Sequence, residues 1–215
     1  MPIRAVFFDV GETLINETRM LHGWADHMGV SRAEFIAVLD DVIARREHYR
    51  RVFERLRPDY DVAAAAAERR ISGTAFRIEA RDLYPDARQC LADLRKDGFF
   101  VGIAGNQPPS AKATLQSFGL DADLITTSSE LGIDKPALAF FRRILDLSGM
   151  TAAEMLYVGD RVDNDVVPAH ALGIKTALLE RGPWGRSQAS WPEADQADIR
   201  AQNLTEIFRQ IQNLS

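Results

Sequence analysis

Five short apolar runs, Ile3–Phe8, Phe99–Ala104, Leu124–Thr127, Met155–Val158 and Ile174–Leu179, recur along the chain with helix-forming segments between them. Runs this compact, rich in β-branched and aromatic residues, predict parallel strands covered on both faces. Strands that alternate with helices predict an α/β fold built on a doubly wound parallel sheet, which binds ligands at the carboxyl ends of its strands. Helices are expected at Ala87–Lys96, which Gly98 stops, and at Ser110–Phe118, Pro136–Leu147 and Asp163–Ala171. Thr151-Ala152-Ala153-Glu154 has capping-box spacing and predicts one turn just ahead of the fourth run.

Residues 18–82 break this rhythm. No strand-like run occurs there, and helix formers dominate. Ser31-Arg32-Ala33-Glu34 is a second capping box, opening a helix with Phe35, Val38, Leu39 and Val42 on one face. Asp61 to Arg70, with five consecutive alanines, predicts another helix. The expected organisation is an α/β core from residues 1–17 and 83–215, with an all-helical subdomain, 18–82, inserted after the first strand. Arg45, Arg46, Arg50, Arg51, Arg55 and Arg57 read as a solvated helix face paired with acids such as Glu47 and Glu54. A subset of them could recognise an anionic tail. His22 and His27 are five apart, off a shared helix face, and with His48 and His170 they read as surface or packed residues.

Composition closes off several classes. At 215 residues the chain can form one sizeable core plus a modest insertion. A net charge of -5 argues against a nucleic-acid partner. The single cysteine, Cys90, excludes an intrachain disulfide, suits a reducing cytosol and sits in an apolar helical setting expected to bury it. Only four apolar residues separate Arg4 from Asp9, too few for a secretory signal, and no stretch approaches the roughly 18 apolar residues of a membrane helix. A cytoplasmic protein without a membrane partner is expected, as monomer or homodimer.

Chemistry enters at Phe7-Phe8-Asp9-Val10-Gly11-Glu12-Thr13-Leu14, where an apolar strand ends in a carboxylate within a tight turn. Alone, such an aspartate could simply cap the turn. Three distant segments add weight. Ile103-Ala104-Gly105-Asn106 ends the second strand, Asp134-Lys135-Pro136 precedes a helix, and Gly159-Asp160-Arg161-Val162-Asp163-Asn164-Asp165 follows the fourth. All four fall at one end of the predicted sheet.

In order and spacing these segments resemble the four motifs of the haloacid dehalogenase superfamily, and Tyr84-Pro85-Asp86-Ala87 resembles that family's re-entry from a helical cap. The resemblance implies a hydrolase, specifically a magnesium-dependent phosphohydrolase acting on a small phosphorylated metabolite. It implies Asp9 as nucleophile, forming an aspartyl-phosphate, and Lys135 as the cation paired with that nucleophile and the substrate phosphate. Magnesium would be held by Asp9, the Gly11 carbonyl and Asp160, with Asp165 acting through water and Asp163 a further candidate. Two positions depart from the family pattern. The phosphatases carry a second aspartate, a general acid–base, where this chain has Gly11, and a Ser or Thr hydroxyl where it has Gly105. Backbone N–H groups of Gly105 or Asn106, and the Asn106 amide, are the available substitutes at the phosphate. General acid–base assistance contributes about 10²–10⁴-fold, so the departure matters. It keeps two alternatives open: a catalytically degenerate binding or regulatory protein, and a metal-free 2-haloacid dehalogenase-like hydrolase. The acidic segment after Gly159 would repel an anionic haloacid unless a cation neutralised it.

Overall fold

The structure, a computed structural model, describes residues 2–214. Its chain divides into two compact units, Met1–Asn16 with Glu79–Ser215, and Glu17–Ile78.

The first unit is built on a six-stranded, all-parallel sheet. Its strands are β1 (Ala5–Phe8), β2 (Phe100–Gly105), β3 (Leu124–Thr127), β4 (Met155–Gly159), β5 (Lys175–Leu179) and β6 (Ile199–Ala201). Their spatial order is β3-β2-β1-β4-β5-β6, so the chain builds outward from β1 to one edge and then returns to fill the other. The order reverses between β1 and β4, and crevices at the carboxyl ends of strands form at such reversals. β1 and β4 are buried along their whole length, as the unbroken apolar runs require. Phe7 packs on Phe100, and Phe141 meets Tyr157 edge-on with centroids 5.1 Å apart.

Two sequence expectations need correction. A sixth strand exists that the apolar runs do not announce. It has three residues, Ile199-Arg200-Ala201, and pairs only with β5, so it offers too little pattern to read. The helix expected at Asp163–Ala171 is instead a π-helical turn, Val162–Val166, followed by one α-helical turn, Val167–His170. Such wide turns place a side chain where a regular helix could not. The expected turn before the fourth strand is present, with the Thr151–Glu154 capping box formed in both directions.

The second unit, Glu17–Ile78, contains α1 (Thr18–Met28), α2 (Arg32–Ala44), α3 (Arg51–Leu56) and α4 (Val62–Ile71). Ser31 Oγ accepts from the Glu34 amide to start α2, and Asp61 Oδ1 accepts from the Ala63 and Ala64 amides to start α4. An aromatic cluster fills the interior, with Phe53 edge-on to both Trp24 and Phe35 and stacked on Tyr60. No described helix is long and apolar enough to cross a membrane.

Candidate active site

Asp9 follows β1 directly, and its amide donates to the Val158 carbonyl at 2.9 Å, which carries the β1–β4 pairing one residue further. The carboxylate is therefore fixed at the strand-order reversal. Lys135 comes from the loop ahead of the Leu138–Ser148 helix and is 3% exposed. Its Nζ donates to Asp9 Oδ1 at 2.6 Å and to Asp165 Oδ1 at 2.5 Å. The ammonium also lies 5.2 Å from the centroid of the Tyr157 ring.

Asp160 follows β4, and the π-helical turn brings Asp165 back toward it. Asp165 Oδ2 accepts from the Arg161 amide at 3.0 Å. A β-carbon at Gly159 would lie 2.2 Å from Asp165 Oδ2, so only glycine at that position admits the returning carboxylate. Asp9, Asp160 and Asp165 each offer an oxygen, and these atoms lie within 4.8 Å of one another in a buried cluster. Asp163 turns away instead, to a bidentate pairing with Arg161 and a hydrogen bond from Gln188.

The cluster lacks positive charge. Of its three carboxylates, only Asp9 and Asp165 bond the Lys135 ammonium. Burial, then repulsion from Asp165 and Asp9, pushes Asp160 well above the usual carboxylate range. Burial pushes Asp165 up to about 6, with Lys135 opposing the rise. Burial alone would lower Lys135, but attraction to Asp165 and Asp9 outweighs it and holds the ammonium well above its ordinary value. Asp160 Oδ2 is buried without a hydrogen-bond partner. Such an atom is costly unless a ligand satisfies it.

The two departures from the family pattern sit differently. Gly105 ends β2 directly against Asp9. Asn106 donates from Nδ2 to the Lys135 carbonyl at 2.9 Å, and its Oδ1 accepts from the Lys135 amide at 2.8 Å. That reciprocal pairing anchors the main chain that carries the lysine. Gly11 lies in the turn after β1, where the left-handed residue is its neighbour Glu12, with φ of 50°.

One group of residues beside this turn was not legible in the sequence. Glu12 is buried, and its Oε2 accepts from the Tyr84 hydroxyl. Arg181, just past β5, lies over the Tyr84 ring with its guanidinium carbon 3.7 Å from the centroid. It donates to the Glu12 carbonyl at 3.1 Å, to the Thr13 carbonyl and to both Asp86 carboxylate oxygens. Gly182 makes room for this arrangement, since a β-carbon there would lie 2.7 Å from the Glu12 side chain. A non-glycine residue persists at positive φ only where its surroundings hold it, and Arg181 and Tyr84 do so here. The available signal was Arg181 at the carboxyl end of an apolar run. Trp184, in the following helix, faces the Arg161 guanidinium at 5.5 Å.

Residues 3–173 match the haloacid dehalogenase-like hydrolase family. The chain is 36% identical over 134 residues to the glyceraldehyde 3-phosphate phosphatase of Methanocaldococcus jannaschii, covering 61% of this chain and 57% of that one. It is 32% identical over 198 residues to the phosphoserine phosphatase of Thermus thermophilus, covering 86% and 76%. The chain spans about half the length of curated relatives such as the first of these. Among solved structures, the L-2-haloacid dehalogenase from Xanthobacter autotrophicus superposes with a TM-score of 0.71 at 20% identity, over 99% of this chain and 100% of that one. That likeness is one of fold.

Proposed function

The chain belongs to the haloacid dehalogenase-like hydrolase family, and from that premise we propose that it is a magnesium-dependent phosphohydrolase acting on a small phosphorylated metabolite through a nucleophilic Asp9. One observation carries the reading: a buried ammonium is shared between Asp9 and Asp165, beside an Asp160 oxygen with no partner. The relatives named as phosphatases of phosphoserine and glyceraldehyde 3-phosphate support the substrate class.

The donor set suits magnesium, which prefers a few carboxylates with retained water. Asp9, the Gly11 carbonyl and Asp160 would hold the ion directly. Asp165 would act through water, because both of its oxygens already accept hydrogen bonds. When bound, the cation would draw charge from the phosphoryl oxygens.

In this reading an Asp9 oxygen attacks phosphorus as the bond to the leaving oxygen breaks, giving an aspartyl-phosphate. Lys135 offsets the repulsion between two anionic groups. The main-chain N–H groups of Gly105 and Asn106 stand in for the missing hydroxyl at the phosphoryl oxygens. Water then attacks phosphorus, releasing phosphate and restoring the carboxylate. The leaving group takes its proton from solvent, because Gly11 has no side chain and Glu12 is turned to Tyr84. Residues 18–82 would act as a cap that selects the substrate, in a cytoplasmic protein.

The test is a panel of phosphate monoesters and 2-haloacids assayed with magnesium and with EDTA, beside Asp9→Asn. Turnover is expected for esters with magnesium and is lost in EDTA and in Asp9→Asn. Magnesium should raise the melting temperature of the wild type and not that of Asp160→Asn. Ester turnover that survives Asp9→Asn, or halide release in EDTA, would overturn the reading.

A further inference from the structure

Three arginines of the arginine-rich stretch pair with acids: Arg45 with Asp41, Arg51 with Glu54, and Arg55 with Asp41 and Glu47. These are satisfied surface ion pairs with nothing to spare for a ligand. Arg69, on α4, differs. It is 4% exposed, and among the described residues no carboxylate pairs with it. Its guanidinium makes one hydrogen bond, from Nη2 to the Thr74 carbonyl at 3.2 Å, and its Nε has no partner. A desolvated charge without a counter-charge destabilises a fold, so a buried guanidinium ordinarily carries a carboxylate. Burial pulls Arg69 below the ordinary arginine range, with only Tyr60 opposing.

The neighbourhood accommodates this cation in three ways. The Trp24 ring lies 4.3 Å from the guanidinium carbon, a cation–π contact that holds charge without neutralising it. Gly23 clears space, since a β-carbon there would fall 2.8 Å from Arg69 Nη2. The Tyr60 hydroxyl is a second buried polar atom without a partner, and Tyr60 lies close enough to feel the Arg69 charge. Phe53, stacked on Tyr60 and edge-on to Trp24, ties these residues into one cluster.

We infer that Arg69 and Tyr60 form a binding site within the helical unit for the anionic end of a small molecule, a carboxylate or phosphate group. The unpaired Nε and the Tyr60 hydroxyl are the donors, and a planar guanidinium edge suits two acceptor oxygens. The inference rests on residues of the helical unit alone and does not depend on the hydrolytic reading.

The ligand could be the non-reacting end of a substrate or a free metabolite anion. Orthophosphate, and separately succinate, would be titrated into the full chain carrying Asp9→Asn, in EDTA, with affinity measured by isothermal titration calorimetry in every variant and the Arg69 Nε–H resonance followed wherever Arg69 is retained. A saturable shift is expected, with affinity reduced roughly 10- to 100-fold in Arg69→Gln. Should Arg69→Gln fail to fold, Tyr60→Phe gives the second reading, with affinity expected to fall severalfold. The inference is overturned if the shift does not saturate, if Tyr60→Phe and a folded Arg69→Gln bind as the wild type does, or if a crystal structure shows only a water joining Arg69 Nε to Tyr60. To separate the two sources, wild type and Arg69→Gln would be compared on p-nitrophenyl phosphate and on a phosphate ester bearing a carboxylate. A KM increase confined to the second ester assigns the site to the substrate, and no KM change with retained titration assigns it to a free anion. If no ester is turned over at all, the titration still decides the site.

Discussion

A β-carbon at position 105 would fall 2.4 Å from Asp9 Oδ1 and 3.2 Å from the Val10 amide nitrogen. Serine there would supply the hydroxyl that the family's phosphatases carry, but it would also displace a carboxylate oxygen held by Lys135. Gly105→Ser is therefore expected to lower kcat/KM and to cost about 1–3 kcal/mol of stability, as overpacking typically does. Steady-state kinetics and urea unfolding check both; a rise in kcat/KM would show that Asp9 yields the space. At this scale strand-end position drew attention to Asp9 and Asp160, and the resemblance to the four motifs singled out Lys135 and Asp165; the structure brings these four side chains together. The sequence said nothing of Glu12 as a buried partner of Tyr84, because the two are 72 residues apart. It also directed attention to the arginines between Arg45 and Arg57, whereas the buried one without a counter-charge, Arg69, lies beyond them on α4.

Among the elements, the turn that opens β4 is the best specified. Glu154 accepts from the Thr151 amide at 3.0 Å and hydroxyl at 2.7 Å, and it pairs with Arg4 at 3.0 Å. The Thr151 hydroxyl and amide, followed by Arg4, hold Glu154 down to about 2. A carboxylate depressed in the folded state adds stability above its ordinary value, and that stability is lost as pH falls through the folded value. Between pH 4.5 and about 2 the wild type should lose stability that Glu154→Gln never had, so the two melting curves converge as acid is added. Parallel curves would sink this expectation. Capping signals are local, which is why the Thr151–Glu154 box and the Ser31 cap were readable from four residues each. The π-helical turn at Val162–Val166 was not, because its shape comes from Asp165 reaching Lys135 and the Arg161 amide rather than from local propensity. β6 escaped for another reason: a three-residue edge strand carries too little periodicity.

Over the whole molecule, the alternation of runs was enough to expect a parallel doubly wound sheet, since handedness and connection rules leave few alternatives; the strand order, with its reversal between β1 and β4, emerged only in the structure. The connection to the helical unit has its own geometry. Ile15 bridges Leu83 in antiparallel fashion, the Asn16 amide donates to the Asp82 carbonyl at 2.7 Å, and the Tyr84 amide donates to the Leu14 carbonyl at 2.9 Å. The outgoing and returning chains are thus laced into a stem before the helices begin. Bringing loop ends together costs entropy that grows only slowly with loop length. A short Gly-Ser splice replacing residues 17–78 is accordingly expected to leave the sheet unit folded, with cooperative unfolding by circular dichroism. Loss of a cooperative transition would show that the helices are required for the sheet. The stem behaves as a socket: under the proposed function, evolution or a designer could exchange the insert, and with it the preference for one small molecule over another, without re-specifying Asp9, Lys135 or Asp160.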